Sequence, residues 1–344
     1  MAPSPRRILV TGAGGFVGRH LLPALRAAFP AATLIGTQRG AAPSSGAGME
    51  GAPFGAGVEE APPPGGGPDA VRPLDLLDAP GMEALVAELR PDAVVHLAAQ
   101  AAVPASFADP AATWRANLFG TLSLAESVLR HAPDCRFVLA SSAEAYGLSF
   151  RRPAPLDEEA PMMPANPYAA SKAAADLAIG EMALRGLNAV RLRAFNHTGP
   201  GQSAGFVVSA FARQLARMEA GLQAPELRVG ALDRWRDFLD VRDVCDAYVA
   251  ALGAEVAPGT VLNIASGTPR RIGDVLEALI ARTGLTPRVE VEAARLRPTD
   301  VERVVGDSGR ARAMLGWSPV LPWDTTLDDV MADWRYRVGV AAEA

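Results

Sequence analysis

Arg7-Ile8-Leu9-Val10-Thr11-Gly12-Ala13-Gly14-Gly15-Phe16-Val17-Gly18 is the stretch on which the reading of this chain turns. It opens with a short apolar run, Ile8-Leu9-Val10, of the kind that lies buried in a parallel sheet. Glycines follow at Gly12, Gly15 and Gly18, in a G-x-x-G-x-x-G spacing, and a helical pattern then runs from Phe16 to about Ala28. A strand that passes through glycines straight into a helix turns the helix's free N–H groups and positive dipole end toward the strand's exit. That end suits a phosphate. The first two glycines let the backbone turn tightly and approach a pyrophosphate, and the third lets the helix pack close to the strand.

The same rhythm continues outward. Thr33-Leu34-Ile35-Gly36, a run ending in Arg72-Pro73-Leu74, Ala93-Val94-Val95-His96-Leu97, Phe137-Val138-Leu139-Ala140 and Ala189-Val190-Arg191-Leu192-Arg193 read as short strands with helical segments between them. Strands alternating with helices give a parallel sheet covered on both faces. The expectation is an α/β fold: a Rossmann-type doubly wound parallel sheet in residues 1–194 that binds a dinucleotide. Beyond about Phe195 the pattern loosens into short strands (Leu227-Arg228-Val229, Val261-Leu262-Asn263-Ile264), helices and turns. Residues 195–344 are therefore expected to form mainly a smaller C-terminal substrate-binding α/β region, with some segments returning to the first domain. Residues 40–70 are mostly Gly, Ala, Pro and Ser and include Pro62-Pro63-Pro64-Gly65-Gly66-Gly67. Such a segment buries too little side chain to offset the entropy of ordering it, and reads as a disordered insertion.

Bulk properties exclude several classes. The chain has 344 residues, 49% hydrophobic and 21% charged, with 33 Lys+Arg against 38 Asp+Glu for a net charge of −5. No clustered basic face suggests nucleic acid. Cys135 and Cys245 are far apart and point to a reducing, cytoplasmic setting rather than a disulfide framework. His20, His96, His131 and His197 have no metal-ligand spacing, so no metal is expected. The apolar run after Arg6-Arg7 is too short for a signal peptide, and no run of roughly 18 apolar residues suggests a membrane span.

The end of the second strand, Gly36-Thr37-Gln38-Arg39, carries no carboxylate for a ribose 2′-hydroxyl. Arg39 offers a planar cation for a 2′-phosphate instead, which favours NADP(H), with NAD(H) possible. The alternative is a solvated surface arginine. His96 reads as a hydrogen-bonded core histidine.

Tyr168-Ala169-Ala170-Ser171-Lys172 sets Tyr168 and Lys172 on one helical face. A nearby ammonium is expected to lower the phenol's pKa from about 10 and prepare it for proton exchange with a carbonyl or carbinol oxygen. Ser141-Ser142-Ala143-Glu144-Ala145-Tyr146-Gly147 follows a strand, so Ser142 can address the same oxygen. Asn117 lies on a helix where it can bridge backbone and water near the lysine.

The glycine loop, Asn117, Ser142, Tyr168 and Lys172, in that order, resemble the extended short-chain dehydrogenase/reductase (NAD-dependent epimerase/dehydratase) family over nearly the whole chain. Arg193-Ala194-Phe195-Asn196-His197-Thr198-Gly199-Pro200-Gly201-Gln202, Gly205-Phe206-Val207, Arg236-Asp237-Phe238-Leu239-Asp240-Val241-Arg242-Asp243 and Leu296-Arg297-Pro298-Thr299-Asp300 are similar to the GDP-6-deoxy-D-mannose reductases within it. Gly316-Trp317-Ser318-Pro319 is shared more widely by nucleotide-sugar enzymes.

The resemblance implies a catalytic group of Ser142, Tyr168, Lys172 and Glu144. It implies a cofactor site of Gly12, Gly15, Phe16, Val17, Gly18, Arg39, Asp75 and Leu76 near the adenine, Leu97, Ala98, Ala99, Asn117, Tyr168 and Lys172. Substrate would be held by Ser142, Glu144, Asn196, Val207 and the arginines Arg236 and Arg297, whose forked donors suit a diphosphate. The implied activity is NAD(P)H-dependent reduction of the C4 keto group of a GDP-4-keto-6-deoxyhexose to a product of the GDP-D-rhamnose type. Ala143 stands where sugar dehydratases often carry Asp or Ser, yet Glu144 keeps a carboxylate. An epimerase or 4,6-dehydratase with a tightly held cofactor is therefore the alternative, and a non-catalytic nucleotide-binding protein a more distant one. Ala- and Leu-rich helical segments near 114–130 and 168–185 suggest a homodimer through a four-helix interface.

Overall fold

The computed structural model describes residues 4–39, 66–295 and 301–343. Arg297 and residues 40–65 of the Gly/Pro-rich stretch lie outside the described residues.

Ile8 and Val10 are wholly buried in one apolar cluster, and Leu9, between them, is wholly buried in another. A strand sandwiched between helices requires that arrangement. Strand β1 (Arg7–Thr11) leads into α1 (Phe16–Ala28), which buries Leu21, Leu22 and Leu25 against the sheet. Each such burial stabilises the fold by about 1.5–3 kcal/mol. β2 (Thr33–Gln38), β3 (Ala70–Pro73), α2 (Ala79–Leu89), β4 (Ala93–His96), α3 (Val103–Ala108) and α4 (Pro110–Trp114) follow. After one π-helical turn (Arg115–Phe119) come α5 (Gly120–His131), β5 (Arg136–Ser142), a 3₁₀ segment (Ala143–Arg151), α6 (Pro167–Leu184) and β6 (Ala189–Ala194).

The order across the sheet is β3-β2-β1-β4-β5-β6, and every pairing is parallel. The chain reverses its direction of travel at β1, so the carboxyl ends of β1 and β4 border the crevice where such sheets hold ligands. The fold class and each strand expected from the first half are present.

The third strand begins inside the segment read as an insertion. Asp69 exchanges hydrogen bonds with Leu34, backbone N–H to carbonyl at 2.8 Å and carboxylate from backbone N–H at 2.7 Å, and Ala70 pairs with Ile35.

The second half comprises β7 (Asn196–Thr198), α7 (Val207–Glu219), β8 (Glu226–Val229), β9 (Trp235–Asp240), α8 (Val241–Gly253), β10 (Thr260–Ile264), β11 (Pro269–Arg271), α9 (Ile272–Ala281), β12 (Arg288–Val291), β13 (Arg303–Val304), α10 (Gly309–Leu315) and α11 (Trp323–Glu343). β10 pairs parallel with β6 as the seventh strand of the large sheet, and α8 packs with α1 in the same cluster. β9 organises a small sheet with β7, β11 and β13, while β8 and β12 form a separate pair. Residues of α7, α9 and α11 make a third apolar core. No helix among the described residues is long and apolar enough to cross a membrane.

Candidate active site

The glycine loop is built for close approach. Gly12 has φ +71°, and a Cβ there would lie 3.0 Å from the backbone of Ala98 on the β4 exit. A Cβ at Gly18 would come within 2.5 Å of the carbonyl oxygens of Gly12 and Ala13, so only glycine lets α1 sit this close to its strand. Gly15 caps α1 without any side-chain hydrogen bond, which leaves the helix's first N–H groups to a ligand. Phe16 and Val17 are half-buried on the first turn. Arg39 is exposed just past the end of β2. Asp75 is exposed and accepts from the Leu77 N–H at 3.0 Å, while half-buried Leu76 packs so close to Gly120 that a Cβ added there would lie 2.8 Å from the Leu76 Cβ. Leu97 donates its N–H to the Thr11 carbonyl at 3.3 Å. Leu97, Ala98 and Ala99 thus run beside the glycine loop. An uncapped helix start and a backbone cradle that any side chain would fill fit a dinucleotide phosphate.

His96 is a hydrogen-bonded core histidine, as expected. The Ala98 N–H donates to Thr11 Oγ1, which contacts His96 Nδ1 at 2.7 Å, and His96 Nε2 meets Thr121 Oγ1 at 3.0 Å. Thr121 donates onward to the Asn117 carbonyl. Burial, reinforced by the Lys172 charge, pulls His96 down to about 3, so its imidazole stays neutral. Asn117 sits in the π-helical turn and is buried. Its amide accepts from the Gln100 N–H at 2.7 Å and donates to the Gln100 carbonyl and to Ser171 Oγ, both at 3.0 Å. Asn117 therefore clamps the β4 exit onto α6, one residue from Lys172.

Ser142 ends β5, its hydroxyl accepts from the Glu144 N–H at 3.2 Å, and it lies close enough to the Tyr168 phenol to favour the phenolate. Lys172 reaches across from α6 and donates to the Ala140 carbonyl at 2.5 Å. The phenol's pKa is raised, against the lowering expected from the Tyr168–Lys172 spacing. Burial pushes Tyr168 up to about 12, the neighbouring Ser142 hydroxyl opposes that rise, and the Glu144 charge adds to it. Lys172 is itself drawn down to about 8 by burial, against the pull of Asp176.

Ala143 is buried with Tyr146, Phe150 and Phe195, whereas Glu144 accepts a 3.4 Å contact from Asn166 Nδ2. Asn166 also caps α6 by accepting from the Ala169 N–H at 2.8 Å. It was not singled out from the sequence, although Asn166-Pro167 is the cap-then-proline signature of a helix start.

Two further features of the sequence belong to this site. Lys172 is the only lysine in the chain, every other Lys/Arg position being arginine. A guanidinium cannot shed its proton, so the one retained ammonium marks a place where the two cations are not interchangeable. Asp176, Arg193 and Tyr146 form a buried polar cluster behind the hydroxyls.

On the other side, Asn196 lies on β7 opposite Phe238, and Val207 is the first residue of α7. Arg236 is half-buried on β9 and donates to the Trp235 carbonyl at 2.8 Å. Among the described residues no cluster of His, Cys, Asp and Glu could hold a metal ion.

This chain matches a family model described as GDP-mannose 4,6 dehydratase over residues 9–330. It is 36% identical to the GDP-6-deoxy-D-mannose reductase of Pseudomonas aeruginosa over 334 residues, covering 97% of this chain and 98% of that protein. It is 32% identical to the UDP-glucose 4-epimerase of Azospirillum brasilense, covering 92% and 88%. Among solved structures, that of RMD from Pseudomonas aeruginosa complexed with NADPH superimposes with a TM-score of 0.77 and 34% identity, covering 96% and 99%.

Proposed function

The chain belongs to the GDP-mannose 4,6 dehydratase family, and from that premise we propose that it is an NADPH-dependent reductase of the C4 keto group of a GDP-4-keto-6-deoxyhexose. The relative matched along nearly its whole length is a GDP-6-deoxy-D-mannose reductase, and the similar solved structure is complexed with NADPH. The observation that carries the reading is the Ser142–Tyr168 hydroxyl pair followed by a buried alanine. Reduction of a ketone needs one proton donor and an orienting hydroxyl, and this site supplies both without a second acid beside Ser142.

NADPH, when bound, supplies the hydride to C4. Gly12, Gly15, Phe16, Val17 and Gly18 would hold its pyrophosphate, Arg39 its 2′-phosphate, and Asp75, Leu76, Leu97, Ala98 and Ala99 the adenosine side. Tyr168 donates its phenolic proton to the C4 oxygen while Ser142 donates a hydrogen bond to that oxygen. Lys172 provides a cation in the low-dielectric ground beneath, which favours phenolate once the proton has left. Asn196, Val207, Arg236 and Arg297 would hold the nucleotide-sugar, and Asn117 keeps the β4 exit against α6. The site is tested by offering NADPH with preformed GDP-4-keto-6-deoxymannose or with GDP-mannose. Stoichiometric loss of nicotinamide absorbance with the first alone supports the reading; no loss with either defeats it.

Glu144 favours a second reading, an epimerase or 4,6-dehydratase that recycles its cofactor with no net consumption. For assembly, Phe119, Leu177 and Leu184 are 58%, 60% and 90% exposed on the segment from Arg115 through α5 and on α6. That apolar face supports a homodimer, and two buried free thiols suit a cytoplasmic enzyme.

A further inference from the structure

Asp176 lies on α6 one turn beyond Lys172 and has no exposed surface. Its carboxylate accepts from Arg193 Nε at 3.1 Å and Nη2 at 2.9 Å, from Arg191 Nη1 at 2.9 Å and from Ser141 Oγ at 2.5 Å. Arg193 continues to the Tyr146 phenol at 2.9 Å, and Tyr146 donates to Asn263 Oδ1 at 2.7 Å. Ser141 immediately precedes Ser142, and Tyr146 lies two residues after Glu144. One buried carboxylate thus ties together the end of β5, the 3₁₀ segment and the helix that carries Tyr168 and Lys172.

We propose that Asp176 is a positioning residue of this active site, fixing the strand end that presents Ser142 and holding Lys172 in its ammonium form. The inference rests on the reading of Ser142, Tyr168 and Lys172 as the catalytic group. Removing the carboxylate leaves two guanidiniums without their buried partner, and their like charge then faces the ammonium through a low-dielectric interior. The other groups set against Lys172 are the Ala140 carbonyl from β5 and His96 from β4, which burial keeps neutral. Tyr248 on α8 borders Tyr168 and is held protonated by burial. Asp176 is the group that opposes the effect of burial at Lys172.

Because the chain has one lysine, protein labelled with ¹³C-lysine gives a signal from Lys172 alone, and its titration can be followed with or without a working assay. In Asp176→Asn, Lys172 is expected to lose its proton at least about one pH unit lower than in the parent. The kcat for ketosugar reduction should fall at least about tenfold, with KM within about threefold and the basic limb of the pH profile shifted the same way. Asp176→Glu should restore the titration. Ser141→Ala, which cuts one tie and no charge, should lower kcat while leaving the Lys172 titration in place, and it decides the positioning role if Asp176→Asn does not fold. An unmoved lysine titration in folded Asp176→Asn, or parent-like kcat in Ser141→Ala, overturns the inference. A parent protein that does not reduce ketosugars counts against the proposed reaction, while the lysine titration still decides the role of Asp176.

Discussion

The Lys172 ammonium donates to the carbonyl oxygen of Ala140, two residues before Ser142 on the same strand. The contact pins α6 to β5, and it places a charge where water is absent. The folded-state pKa of Lys172 falls from 10.5 to about 8, mainly through burial. The unfolded chain then binds more protons than the folded one between about pH 8 and 10.5, so stability rises with pH across that window. At neutral pH the buried ammonium costs on the order of 3 kcal/mol. Lys172→Met should therefore melt a few degrees higher than the parent at pH 7, while its kcat falls by about 10² or more. A melting temperature below the parent's in the folded variant contradicts this account.

Tyr168→Phe should bind substrate and NADPH nearly as the parent does and lose turnover by about 10²–10⁴, because it deletes only the proton used in the transition state. With the phenol pushed up to about 12, the parent keeps its donor protonated through the neutral range. The pH profile of the free enzyme should show no loss of activity from Tyr168 itself below about pH 10, so any earlier basic limb belongs to Lys172. Near-parent turnover in Tyr168→Phe shows that another group is the acid.

NADPH should bind more tightly than NADH, and Arg39→Ala should narrow the gap by about 1.5–3 kcal/mol as charge-assisted bonds to the 2′-phosphate are lost. Titration of both cofactors against both proteins checks this. Equal affinities in the parent, or an unchanged preference in the variant, make Arg39 a solvated surface side chain.

The face bearing Leu177 and Leu184 should be covered by a second copy in solution. Sedimentation at micromolar concentration should give twice the mass of the chain, and Leu177→Glu should shift it toward the monomer by placing a carboxylate in an apolar contact. A monomeric parent rules the dimer out.

The parts of this molecule visible in the sequence are those that local physics dictates. Ile8-Leu9-Val10 and Gly12, Gly15 and Gly18 announce a buried strand, a tight turn and a close-packed helix within a dozen residues, and the structure places them so. Tyr168 and Lys172 share a helix face by spacing alone. β9 was not visible because Trp235-Arg236-Asp237-Phe238 reads as a charged surface run. Asp237 is buried there only because the N–H groups of Ser266, Gly267 and Gly306, distant in sequence, converge on its carboxylate. The Asp176 cluster was hidden for the same reason, since Ser141, Asp176 and Arg193 meet only when β5, α6 and β6 pack. Lys172 as the one lysine among so many arginines is, by contrast, legible in the sequence alone.

Glu144 is where the reductase and dehydratase readings part. A 4,6-dehydratase must take the C5 proton and return one to the departing C6 hydroxyl, which calls for a base and an acid besides the tyrosine. The residue after Ser142 is Ala143, buried among apolar side chains and unable to exchange a proton. Glu144 is held by Asn166, the same amide that caps the helix of Tyr168. That linkage makes the carboxylate a spacer between the 3₁₀ segment and the start of α6. It also raises the phenol's pKa, so a neutral side chain there should make Tyr168 a slightly readier proton donor. Glu144→Gln keeps the shape and removes the charge. It should lower ketosugar reduction by less than about tenfold, the loss of about 1.4 kcal/mol that fits a positioning contact. GDP-mannose should not be dehydrated at a useful rate by either protein. Formation of a 4-keto sugar from GDP-mannose by the parent, abolished in Glu144→Gln, makes Glu144 the central base and overturns the reductase assignment.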